Sequence, residues 1–199
     1  MKVIVIGGTG TIGKAVVKEL QQRHEVILAG HQSGDIQIEL EDNASIEKMY
    51  QTNPGLDAVI ATTGRVHFAE MSAMSAQDYF VGLNSKLMGQ VNLVLIGQHY
   101  LNEGGSFTLT SGILSHDPIR AGSSASMVNG ALDSFVRAAA IELAKNLRIN
   151  VVSPTVITES MSTYGPYFRG FEPVSAARAA LAYSKSVEGA QTGQVYQVG

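Results

Sequence analysis

Three observations predict an α/β fold: a single domain with a doubly wound parallel sheet between two layers of helices. Strand-like and helix-like segments alternate along all 199 residues, and no linker, repeat or low-complexity stretch interrupts them. Several of the strand-like segments, such as Val3–Ile6 and Leu56–Ala61, are apolar runs suited to strands covered on both faces. The first run passes directly into a glycine-rich turn and an amphipathic segment, the order of a ligand-binding βα unit.

That turn, with Gly7, Thr9, Gly10, Thr11, Ile12 and Gly13, organises the chain. Gly7 lets the backbone leave the strand sharply. Gly10 removes the side chain where a pyrophosphate would meet the backbone. Gly13 lets the helix lie close to the sheet. The free N–H groups of the helix then point at phosphate oxygens. A first helix over residues 14–23 follows, with Val16, Val17 and Leu20 on its apolar face.

His24–Ala29 is predicted as the second strand and Gly30–Gly34 as the loop after it. NAD binders usually end this strand with a carboxylate for the ribose hydroxyls, but Gly30 and His31 stand here. A 2′-phosphate would meet no repulsion near His31 and Ser33, so the expected cofactor is NADP (NADPH) over NAD. Asp35–Leu40 alternates as a short third strand, with Glu39 and Leu40 beside an adenine ring. Several possible caps then precede a helix marked by Ile46, Met49 and Tyr50, which Asn53-Pro54-Gly55 ends.

Leu56–Ala61 is a strand closed by Thr62, Thr63 and Gly64, at the end where an open α/β sheet receives its ligand. Helical patterns run over Ser72–Leu87 and Val91–Leu101, and Asn84 falls among their apolar neighbours. Ser106–Thr110 is a strand with Ser111 at its carboxyl end. A loop over residues 114–124 carries His116, and a long alanine-rich helix spans about Ser124–Lys145. Arg148–Ser153 is a strand that turns off at Pro154, Val156, Ile157 and Thr158. An aromatic lid is predicted at about 159–172, a helix starting at Pro173, and a last strand at Gly193–Val198.

Composition narrows the function. A net charge of -3 and no basic run argue against nucleic acid or a membrane surface. The absence of cysteine excludes disulfides, thiolate catalysis and cysteine-held metal, and no metal site is expected. A strand beginning almost at Met1 and the lack of a spanning apolar run lead to the expectation of a cytoplasmic protein.

Taken together, GGTGTIG, LDAVIATTG, Asn84, FTLTSG, FVRAAAIELA, RINVVSPTVITES and TGQVYQVG resemble, in order and spacing, the motifs of the short-chain dehydrogenase/reductase family. The resemblance covers nearly the whole chain and implies a Rossmann-like, NAD(P)-binding domain over residues 1–199. It implies that Gly7, Gly10, Thr11, Ile12 and Gly13 hold the pyrophosphate and that Thr62, Thr63 and Gly64 pass under the ribose. It also implies that Pro154, Val156, Ile157 and Thr158 face the carboxamide, although Thr155 stands where the family has glycine.

The family's catalytic set is serine with a Y-x-x-x-K pair. Ser111 and Asn84 match its serine and its helix asparagine, but Ala125 and Asn129 replace the tyrosine and lysine. Positioned acid catalysis contributes roughly 10²–10⁴-fold, which alanine cannot supply. His116 is the candidate replacement acid, with Lys86, Tyr164 and Tyr167 as others. The resemblance therefore implies an NADP-dependent oxidoreductase of a small carbonyl or alcohol with an altered catalytic set. The alternative is a non-catalytic NADP(H)-binding sensor or scaffold. An epimerase or dehydratase is a third reading, but the chain is short for the substrate domain of that branch. Family members often pair through helices corresponding to about 76–101 and 124–145, implying a homodimer or homotetramer.

Overall fold

The computed structural model describes residues 1–199. Seven parallel strands form one sheet in the order β3-β2-β1-β4-β5-β6-β7. They are β1 Lys2–Ile6, β2 Glu25–Gly30, β3 Ile36–Gln37, β4 Ala58–Ala61, β5 Ser106–Thr110, β6 Arg148–Pro154 and β7 Val195–Val198. The order reverses between β1 and β4, so the carboxyl ends of these two strands open a crevice.

The period of two in β1 sorts its side chains between two cores. Ile4 and Ile6 join the cluster with Phe107, Leu109 and Ile149 on one face. Val3 and Val5 join Ala58, Ile60 and Val152 on the other. The first face is covered by α2 (Asn43–Thr52), α4 (Gly89–Gly97) and α5 (Ser123–Glu142). The second is covered by α1 (Thr11–Leu20) and α7 (Ala176–Glu188), which pack on each other. No helix is long and apolar enough to cross a membrane, and no cluster of three His, Asp or Glu residues is placed to hold a metal.

Several boundaries differ from the sequence expectation. Strand β3 pairs only at Ile36 and Gln37, because the chain then bends toward α2 and the Glu39 N–H donates to Ser45 Oγ at 2.9 Å. Helix α5 stops at Glu142, before Lys145 and Asn146 enter the left-handed region with φ of 55° and 54°. Helix α7 starts at Ala176, not at Pro173. Ser175 caps it by accepting from the Arg178 N–H, and the Glu159 carboxylate accepts from the Ala176 N–H.

The largest departure lies between β4 and β5. The helical region is continuous but contains a π-helical segment, Leu83–Met88, between α3 (Ala76–Gly82) and α4. Its signature is the Gly89 N–H donating to the Asn84 carbonyl, five residues back. The buried face carries Gly82, Ser85, Gly89 and Gln90, while Phe80 is exposed. Small residues bring this helix close to its neighbours. A Cβ on Gly82 would meet Ser124 Oγ at 3.1 Å, and one on Gly89 would meet Leu40 Cβ at 3.1 Å.

Candidate functional site

The glycine turn has the backbone a phosphate cradle needs. Gly7 has φ of 81°, and a Cβ there would lie 3.0 Å from Thr62 Oγ1 and from Thr63 Cβ. Gly13 packs under the turn, where a Cβ would fall 2.0 Å from the Gly7 carbonyl oxygen. Gly10 is different: a Cβ there meets only the Gly7 oxygen, at 3.3 Å, so its other side is open. Gly10 immediately precedes α1, whose first N–H groups face that opening.

Two cavities meet at Thr62 and Thr63. The first, of about 460 Å³, is lined by Gly7, Thr9, Gly10, Gly30, His31, Ser33, Glu39, Leu40, Arg65 and Ser85, among others. Thr9 and Ser33 hydroxyls are 2.8 Å apart and tie the glycine turn to the loop after β2. His31 Nδ1 lies 3.0 Å from Glu39, and Arg65 lies 2.8 Å from Glu41, both near the surface.

The second cavity, of about 340 Å³, continues from Thr11, Ile12 and Gly64 across the ends of β5 and β6. Ser111, Lys86, Asn129 and Thr155 are among its polar residues. Val66, Phe68, Leu114, Ala125 and Phe168 form much of the apolar wall. Tyr164 and Phe168 come from the segment predicted as a lid, and the Tyr164 ring lies 6.4 Å from the Phe68 ring.

Lys86 is the one charged side chain on this wall. Its Nζ donates to the Ser111 carbonyl at 2.9 Å. Burial lowers its pKa to about 8, and the negative charge of Asp133 on α5 partly offsets that shift. Three further polar atoms on this wall are buried with no protein partner: Ser111 Oγ, Asn129 Oδ1 and Thr155 Oγ1. Buried polar atoms are nearly always paired, so a group of orphans on residues that line one cavity fits a polar ligand. The open cradle at Gly10 and these orphans fit a dinucleotide.

The structure brings most predicted site residues together and displaces three. Asn84 is exposed and borders a separate surface hollow with Glu41, Asp42 and Asn92. It lies two residues from Lys86, nearly opposite on a helical turn, so one faces the cavity and the other cannot. His116 is exposed and outside the cavity, with Nδ1 3.3 Å from its neighbour Ser115 Oγ. Thr158 is exposed and does not line the cavity, and its N–H is used by the Val174 carbonyl. Of the other substitutes considered, Tyr164 lines the cavity and Tyr167 does not.

Thr155 is a polar residue whose place sequence reasoning missed, and Lys86, expected only as one of several substitutes, lines the cavity. The signal for Lys86 was the spacing of Gly82, Ser85 and Gly89, which marks a face of close approach. Gln90 fixes that face by donating to the Lys86 and Thr110 carbonyls at 3.1 and 3.0 Å and accepting from the Thr110 N–H at 2.8 Å.

Comparison with known proteins agrees with this geometry. Residues 2–195 match the family described as enoyl-(acyl carrier protein) reductase. The crystal structure of the protein lin1944 from Listeria innocua is 47% identical, with a TM-score of 0.98 and 100% of both chains covered. A small-chain dehydrogenase solved in complex with NADPH is 25% identical, with a TM-score of 0.88, covering 100% of this chain and 96% of its own. A further small-chain dehydrogenase is 26% identical, with a TM-score of 0.86, covering 100% of this chain and 95% of its own. None of the curated proteins matches the chain.

Proposed function

Because the chain belongs to the short-chain dehydrogenase/reductase family of oxidoreductases, we propose that it uses NADPH to reduce a small apolar carbonyl compound, or NADP to oxidise the corresponding alcohol. The observation that carries this reading is the continuity of the two cavities. A phosphate cradle at Gly10 leads past Thr62 and Thr63 to an apolar chamber holding Ser111 and Lys86.

The bound nicotinamide supplies the hydride in such a reaction. The chain supplies placement and charge. The Ser111 hydroxyl, otherwise unpartnered, donates to the substrate oxygen as negative charge develops there. Val66, Phe68, Leu114 and Phe168 exclude water from the reacting carbon. Asn129 Nδ2 is 3.4 Å from the Gly112 carbonyl, which holds the turn after Ser111 against α5. Two observations support NADPH over NADH. No carboxylate ends β2, and Glu39 is turned to His31 Nδ1 at 3.0 Å while Thr9 and Ser33 present hydroxyls in the same cavity. The solved NADPH complex of a relative agrees with that choice.

Ala125 and Asn129 favour a second reading, a protein that holds the dinucleotide without turnover. Calorimetric titration with NADPH and NADH, followed by NADPH oxidation assays with benzaldehyde and diacetyl, separates the readings. Tight NADPH binding with carbonyl-dependent oxidation is expected. Binding without turnover leaves the second reading, and absence of binding overturns both.

A further inference from the structure

We propose that Lys86 is the proton donor of this site. The proposal rests on the oxidoreductase reading above and names the acid that Ala125 and Asn129 leave missing.

Four observations converge on Lys86. It is the only cationic side chain on the wall of the catalytic cavity. Its amine is anchored on the Ser111 carbonyl at 2.9 Å, which places it beside the serine that meets the substrate oxygen. Its backbone lies in the π-helical segment, and Gln90 pins its carbonyl at 3.1 Å. Gly64 is shaped around it, because a Cβ at 64 would lie 2.7 Å from Lys86 Cβ and Cγ. An ordinary surface lysine needs none of these supports.

The charged and titratable groups around the amine are few. Asp133 acts on it from α5, where residues 125, 129 and 133 are successive positions four apart on one face. One Asp133 carboxylate oxygen is buried without a hydrogen-bond donor. Tyr164 reaches the cavity from the lid, and the remaining wall is uncharged. Ala125 lines the same cavity as Ser111 and Lys86 and adds no polar group to it.

The step balances with the family's own cofactor. The carbonyl carbon gains a hydride, and the C=O π pair moves to oxygen. That oxygen takes a proton from Lys86 Nζ, so one N–H bond breaks and one O–H bond forms. Oxidised NADP, the alcohol and a neutral amine remain, and the amine recovers its proton from solvent. A lysine lowered to about 8 suits this role, being protonated at neutral pH yet far more acidic than a surface lysine.

The test has two parts. Trace acetylation with acetic anhydride across pH, read by peptide mass spectrometry on the unliganded protein, should give Lys86 a midpoint near 8. A wild-type Lys86 midpoint in the usual lysine range overturns the proposal. In the second part, Lys86→Met and Lys86→Arg should bind NADPH within about fivefold of wild type and lose roughly a hundredfold or more in benzaldehyde or diacetyl reduction. Arginine keeps the charge but cannot release a proton, so activity in Lys86→Arg would overturn the donor role. Wild-type protein that fails to bind NADPH would instead overturn the family function on which the proposal rests.

Discussion

Gly64 and Lys86 are in contact along the lysine stem: a Cβ on Gly64 would lie 2.7 Å from both Cβ and Cγ of Lys86. Gly64 also has φ of 137°, a region open to glycine and strained for other residues. The loop after β4 and the π-helical segment are therefore fitted to each other at the centre of the site.

Gly64→Ala should be destabilised by about 2 kcal/mol, from backbone strain and from displacing the lysine stem. Urea denaturation measures the loss. Turnover should fall with it, whereas the same change at Gly104, where a Cβ meets nothing within 4 Å, should leave turnover intact.

Gly10→Ala and Gly13→Ala should separate binding from folding. At Gly10 the added methyl meets only one atom at 3.3 Å and projects where the pyrophosphate would pass. Its stability should change little while NADPH affinity drops tenfold or more, about 1.4 kcal/mol. At Gly13 the methyl would fall 2.0 Å from the Gly7 oxygen, so both thermal stability and binding should be lost. Calorimetric titration beside thermal denaturation distinguishes the two patterns.

His31→Asp should reverse the cofactor preference. A carboxylate at the end of β2 would repel a 2′-phosphate and accept hydrogen bonds from a ribose diol. It would also face Glu39, now 3.0 Å from His31 Nδ1, so NADPH should weaken about tenfold or more relative to NADH. An unchanged NADPH-to-NADH ratio would remove His31 from cofactor selection.

Gln90→Leu should cost about 3 kcal/mol. Gln90 is fully buried, and its loss strands the Thr110 N–H, which has no other partner in reach of leucine. Hydrogen exchange at Thr110 should rise along with the fall in denaturation midpoint.

Acid stability should depend on Glu188. The Arg23 guanidinium, at 2.7 Å, holds its carboxyl below the usual carboxylate range, against a smaller opposing effect of burial, and His24 adds a hydrogen bond. A depressed carboxyl contributes stability above its unfolded pKa, and that contribution is lost as pH falls below about 4. In Glu188→Gln the acid limb of a pH–stability curve should be shallower than in wild type.

Much of this molecule is local chemistry and could be read along the chain. The apolar runs at Val3–Ile6 and Ala58–Ala61 can be buried only as strands with helices on both sides. Gly7, Gly10 and Gly13 demand a turn that few other residues could make. Ser111 followed from its place at the end of a strand, since strand ends and ligand crevices coincide in this architecture. The missing tyrosine and lysine were equally plain, because Ala125 and Asn129 sit at fixed spacing on a predictable helix.

Only tertiary packing decided which polar residue enters the cavity. On sequence, Asn84 and Lys86 are two residues apart on one helix, and a regular period cannot tell which faces inward when small residues mark the buried side. The choice depends on Gly82 and Gly89 letting the helix approach α5 and Leu40, on the π-helical turn, and on Gly64 making room for a lysine stem. Those are contacts between segments far apart in the chain. They bury a charge that local pattern reads as solvated, and they leave Asn84 and His116 in water.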